Sequence, residues 1–249
     1  VMCLCTMLLK YALSIPPTFK KAANPVAFSA GTWYNNNNKN PGKIAETSRG
    51  ENMKHKPLPI GVEDFKRLVD NGYYFVDKTL MIKELLENKE TVNLFTRPRR
   101  FGKTLNMSML QRFFEATEKS NAYLFDSLKI AAYPEYMAYQ GKYPVISVSL
   151  KSMKQKNFTL AFETYKYLIK SEYSRHKDFI FGRNVLDEEE KVRYLSLIQV
   201  DATETMYNQA IGFLSNCLKK AYQQNVIILI DEYDVPLENA YHEGFYDDM

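Results

Sequence analysis

The feature that most constrains this chain is the unbroken apolar run Val226-Ile227-Ile228-Leu229-Ile230, followed at once by Asp231-Glu232. A half-exposed strand would alternate apolar and polar residues. A continuous β-branched run instead suits a parallel strand covered on both faces. An acidic pair at the end of such a strand lies where open α/β sheets bind ligands, outside the carboxyl ends of the strands. Taken alone, the pair is equally read as the surface end of a strand.

The rest of the chain supports an alternation of strands and helices. Tyr73 to Val76 and Thr91 to Thr96 read as short β runs, and Pro144 to Leu150 as a clearer strand. Helical stripes are expected over 60–71, from Leu80 through Leu86, over 104–115, and near 158–173, 187–199 and 203–223. Asp77 or Thr79 is the natural N-cap of the helix carrying Leu80, because a short side-chain oxygen can accept an orphan helix N–H. The pattern predicts an α/β fold with a mainly parallel sheet flanked by helices. Residues 1–56 show no sustained period and read as a poorly ordered leader, with 57–249 as the folded domain. Tyr165, Tyr167 and Tyr173 sit on an amphipathic helix, where packing is the default role.

A second motif shares the chemistry of the first. Arg97-Pro98-Arg99-Arg100-Phe101-Gly102-Lys103-Thr104 stands between an expected strand and an expected helix. Phosphate binding at a helix start needs inward backbone N–H groups, a lysine for the outer phosphates and a hydroxyl for Mg²⁺. Gly102, Lys103 and Thr104 supply these, and Pro98, Arg99, Arg100, Phe101 and Leu105 flank them as candidate nucleotide-binding positions. Arg97 replaces the first glycine of the usual loop, and Pro98 has no donor N–H. Arg97, Arg99 and Arg100 admit three readings: phosphate clamps, nucleic-acid contacts, or a solvated basic loop. Phe101 reads as a packing residue rather than a base stacker. Thr104 and Asp231 are the expected Mg²⁺ ligands, with Lys103 and Glu232 the expected catalytic pair.

Composition narrows the alternatives. The net charge of +4 is too mild to indicate nucleic acid. Cys3, Cys5 and Cys217 form neither a disulfide framework nor a zinc clip. No run approaches the about 18 apolar residues of a membrane span, and the apolar start is interrupted by Lys10. A reducing, cytoplasmic setting is expected. Val1 in place of a methionine, and the stop soon after the acidic strand, lead to the expectation that the chain is a fragment.

Three motifs fall in order: Tyr74-Phe75-Val76-Asp77-Lys78-Thr79, Arg97 to Thr104, and Leu229-Ile230-Asp231-Glu232-Tyr233-Asp234. With Gly141 to Ile146 as a fourth, they resemble the AAA-ATPase-like family of P-loop proteins over residues ~57–249. The resemblance implies a P-loop NTPase-type sheet, ATP and Mg²⁺ as ligands, and a variant loop in which Arg97 is a shared feature. It also implies a nuclease-like domain of the PD-(D/E)XK type after the ATPase, and DNA as a partner. The chain stops before that domain and before the later ATPase strands, so the sheet is expected to be incomplete at its C-terminus. Two function classes stand open: a Mg²⁺-dependent ATPase, or a non-catalytic nucleotide-dependent regulatory or DNA-associated module. An inactive fragment of a larger ATPase is a third reading.

Overall fold

A computed structural model describes residues 56–95 and 101–249. All of the expected leader except Lys56 therefore lies outside the described residues, as do Arg97, Pro98, Arg99 and Arg100. The described part is a mixed α/β structure, mostly helical, around a two-stranded parallel sheet.

Strand β1 spans Val145–Ser149 and strand β2 spans Ile227–Asp231. They pair in parallel from Val145 opposite Ile227 to Ser149 opposite Asp231. Side chains alternate across the sheet. Val145, Ile227 and Leu229 join one core cluster, while Ile146, Val148 and Ile228 join the other. The unbroken apolar run is thus buried on both faces, as its composition requires.

The first face is covered by α1 (Phe65–Asp70), α2 (Leu80–Asn88) and α3 (Lys103–Phe114). The opposite face is covered by α5 (Phe158–Gly182), α6 (Glu188–Gln199), α7 (Glu204–Asn208) and α8 (Ala210–Tyr222). A short α4 (Pro134–Met137) precedes β1, and α9 (Val235–Glu243) follows β2. Tyrosines hold the helical layer by their hydroxyls. Tyr173 donates to the Ala210 carbonyl at 2.6 Å, and Tyr194 donates to the Tyr173 carbonyl at 2.7 Å. Tyr165 and Tyr173 are buried packing residues, but Tyr167 is exposed.

Several expected elements differ. The helix expected over 60–71 begins only at Phe65, because Gly61 takes φ +72° and Asp64 caps the helix by accepting the Arg67 N–H at 2.7 Å. Gln209 breaks the helix expected over 203–223 into α7 and α8. The β runs at 73–76 and 91–95 are not strands; Thr96 lies outside the described residues. Val92 and Leu94 are 37% and 58% exposed, so this run does not find the two-sided cover that β2 has. A strand needs a partner edge, which apolar composition alone does not supply. The mainly parallel sheet is therefore smaller than expected. Among the described residues, no helix is long and apolar enough to cross a membrane.

Candidate nucleotide site

Backbone bonds tie the end of helix α3 to the sheet. The Tyr143 N–H donates to the Phe114 carbonyl at 3.0 Å, and the Ala116 N–H donates to the Tyr143 carbonyl at 2.8 Å. These bonds fix the end of α3 beside the beginning of β1. The 12 residues of α3 rise roughly 18 Å, about the length of the strands. Helix α3 also packs on β2, whose last residue, Asp231, lies beside Ser149 at the carboxyl end of the sheet.

The start of α3 is built to leave donors open. Gly102 stands at φ +77° as the N-cap, a left-handed conformation that strains any residue with a Cβ. The first intrahelical bond runs from the Asn106 N–H to the Gly102 carbonyl at 2.9 Å. The N–H groups of Lys103, Thr104 and Leu105 precede it, and among the described residues no side chain caps them. Such groups, with the helix dipole behind them, favour an anion. Phe101 is 58% exposed, which corrects the expectation of a packing residue. Its carbonyl accepts a hydrogen bond from Lys78 Nζ at 3.1 Å instead.

At the strand tip, Asp231 Oδ1 accepts the Glu232 N–H at 3.1 Å. Asp231 Oδ2 is buried and, among the described residues, has no hydrogen-bond partner. Leaving a buried carboxylate oxygen unpaired is costly unless a ligand takes it up. Glu232 has φ +53°, a left-handed backbone that a non-glycine residue adopts only where its surroundings impose it. Its carbonyl accepts the Val235 N–H at 3.1 Å and turns the chain into α9. Asp234 stands at the start of α9 without capping it.

Two further pieces were not read from the sequence. Lys151, just past β1, pairs with Glu63 at 2.9 Å. That bond holds the Lys151 ammonium above its ordinary pKa, with Glu232 and Asp231 adding to the effect, so a cation stands near the acidic tip. A pocket of about 270 Å³ adjoins Gly102, Leu105 and Asn106, walled by Pro59, Tyr74 and Val76. The signal for the pocket was present, since apolar residues of the 73–76 run lack a strand partner and line it instead.

The donor set fits a nucleotide-bound Mg²⁺. Among the described residues, no cluster of three or more His, Cys, Asp or Glu forms a protein-only metal cage. Mg²⁺ bound with nucleotide phosphates needs only one or two protein ligands. The free Asp231 oxygen is suited to that role, as is a Thr104 hydroxyl in the first turn of α3.

A family model described as a predicted AAA-ATPase matches residues 59–249. The chain belongs to the AAA-ATPase-like family. That membership supports a nucleotide-binding, ATPase-like role in coarse terms. A curated relative, "Uncharacterized protein in vnfD 5'region" of Azotobacter chroococcum mcd 1, is 27% identical over 195 residues. The match covers 74% of this chain and 30% of that protein's length, so the chain spans less than a third of its relative. No solved structure matches it.

Proposed function

We propose that this AAA-ATPase-like chain binds MgATP at the carboxyl end of its sheet and hydrolyses it, within a P-loop NTPase-type fold. The observation that carries the reading is the buried, unpartnered Asp231 oxygen, supported by the uncapped start of α3. In this reading, the N–H groups opening α3 and the Lys103 ammonium hold the β- and γ-phosphates. Thr104 and Asp231 hold Mg²⁺, which supplies charge neutralisation at the phosphates when bound. Glu232 orients the attacking water and takes its proton. The pocket beside Leu105 and Asn106 seats the base, because it is apolar and adjoins the phosphate end. DNA is the partner we propose, on the resemblance alone.

The test is calorimetric titration with MgATP and a phosphate-release assay on the parent, Lys103→Ala and Glu232→Gln. Lys103→Ala is expected to lose binding. Glu232→Gln is expected to bind MgATP with parental affinity and to lose turnover by about a hundredfold. A parent that binds tightly without turnover would instead support a nucleotide-dependent module. No binding by the parent would sink the reading.

A further inference from the structure

The segment Asp77-Lys78-Thr79 is pinned at both ends and presents its middle residue to the phosphate loop. Asp77 Oδ1 accepts the Thr79 N–H at 2.9 Å and the Thr79 hydroxyl at 2.6 Å. Asp77 Oδ2 accepts the Lys129 N–H at 2.7 Å. The fully buried Thr79 hydroxyl in turn accepts the Ile130 N–H at 3.2 Å. Both flanking residues are thereby committed to bonds within the chain. Lys78 is not, and its ammonium donates to the Phe101 carbonyl at 3.1 Å. The same Nζ lies 3.8 Å from where a Cβ on Gly102 would stand.

The Phe101–Gly102 peptide is trans, since the described chain contains no cis bond. In a trans peptide the C=O and the next N–H point in opposite directions. Drawing the Phe101 carbonyl toward Lys78 therefore turns the Gly102 N–H away from Lys78. A carbonyl facing the ligand would repel a phosphate; an N–H facing it would donate. Gly102 permits either orientation because its backbone is the freest in the loop. Something outside the loop must select one.

We infer that Lys78 is a positioning residue of the phosphate site: it holds the Phe101 carbonyl outward, so that the Gly102 N–H faces the β-phosphate. This role rests on the nucleotide reading above. It explains why Asp77 and Thr79 are anchored while the lysine between them is left to reach across 23 positions in sequence. It also accounts for a loop that keeps only Gly102 of the usual glycines. The tether supplies the constraint that a second glycine turn would otherwise provide.

The test compares the full chain with Lys78→Met and Lys78→Arg, using MgADP titration and the ¹H–¹⁵N signal of the Gly102 amide. Lys78→Met is expected to weaken MgADP by about tenfold, the size of one lost charge-assisted contact. Its melting temperature is expected to stay at the parental value, because the bonds that anchor the segment belong to Asp77 and Thr79. In the parent, MgADP should shift the Gly102 amide strongly; in Lys78→Met that shift should shrink. Lys78→Arg retains a cationic donor and should recover most of the affinity. Unchanged MgADP affinity in Lys78→Met, with the parent binding normally, would overturn this inference alone. So would an equal loss of affinity and melting temperature in both variants, which would assign Lys78 to the fold. A parent that binds neither MgADP nor MgATP would remove the nucleotide reading and this inference with it.

Discussion

The outer edge of β1 and the tip of β2 both carry buried or half-buried acids, and they treat them in opposite ways. At the edge, Glu172 Oε1 accepts the Ser147 N–H at 2.8 Å and an Arg175 Nη2 bond at 2.6 Å. Arg175 Nη2 also donates to the Val145 carbonyl at 2.6 Å, and Nη1 pairs with Glu115. A carboxylate and a guanidinium thus stand in for the strand that would otherwise pair this edge. At the tip, Asp231 keeps an oxygen without a partner and Glu232 keeps a left-handed backbone. Charges saturated within the chain are structure. A carboxylate oxygen left open is free to take a ligand. The difference lies in which groups the chain satisfies by itself.

Breaking the saturated cluster should give the largest effect. Arg175→Ala would leave the buried Glu115 without its cation and the buried Glu172 with only the His176 ring beside it. Losing one partner of a buried charge cluster costs about 3–5 kcal/mol. Urea denaturation should show a loss of that size, while the folded fraction binds MgATP as the parent does. A loss near that of an exposed ion pair would erase the contrast between edge and tip.

Acid should probe the same cluster somewhat more gently. Burial alone would push the Glu172 carboxyl up, but the His176 ring and the Arg175 guanidinium outweigh it and hold it down at about 2. A lowered folded-state pKa stabilises the protein above the unfolded value, and that stability is lost as pH falls through the folded one. The loss should therefore accumulate from about pH 4.5 toward about pH 2 and total on the order of 3 kcal/mol. Denaturation across this window, compared with Glu172→Gln, isolates the contribution. A Glu172→Gln variant with the parental acid slope would show that the edge does not carry it.

How much of this was legible before the structure follows from the range of each interaction. The two-sided burial of β2 was readable because the run Val226 to Ile230 carries it residue by residue, and the two core clusters divide those residues by alternation. The run at 91–95 also reads as a β run, though Thr91 and Asn93 interrupt it, and Val92 and Leu94 stay exposed. Its fate depends on a partner edge that its own residues do not specify. Lys103, Thr104 and Asp231 were nameable as candidates, because the motif spacing singles them out. The docking of the end of α3 beside Tyr143 was not, since it rests on bonds between distant residues. The Glu115–Arg175 pair joins residues 60 positions apart, and Glu63–Lys151 joins residues 88 apart. No local pattern marks such a meeting.

The open tip should respond in the reverse direction, by gaining stability when function is removed. Asp231→Asn replaces the charge beside an unpaired buried oxygen and keeps an acceptor for the Glu232 N–H. The apo protein should gain about 1 kcal/mol, because a neutral amide costs less to bury than an unpaired charge. MgATP affinity should fall toward that of metal-free ATP. A destabilised Asn variant would mean that the chain itself already uses that carboxylate.

The smallest effect is also the most discriminating, because it sets one left-handed residue against others. Lys89, Val200 and Gln223 have φ of 51°, 66° and 53°, and each closes the end of a helix. Left-handed residues recur at that position for reasons of helix termination alone. Glu232, at φ 53°, follows a strand and has no such reason. A left-handed conformation costs an ordinary residue about 1–2 kcal/mol, and glycine gives back about 0.5–1 kcal/mol through its freer unfolded chain. Glu232→Gly and Gln223→Gly should therefore each stabilise the protein by about 0.5 kcal/mol. Only Glu232→Gly should lose ATP turnover. If both variants keep turnover, the strain at Glu232 merely turns the chain into α9. If Glu232→Gly loses turnover and gains stability, the protein holds that backbone under strain to keep a carboxylate at the phosphate end.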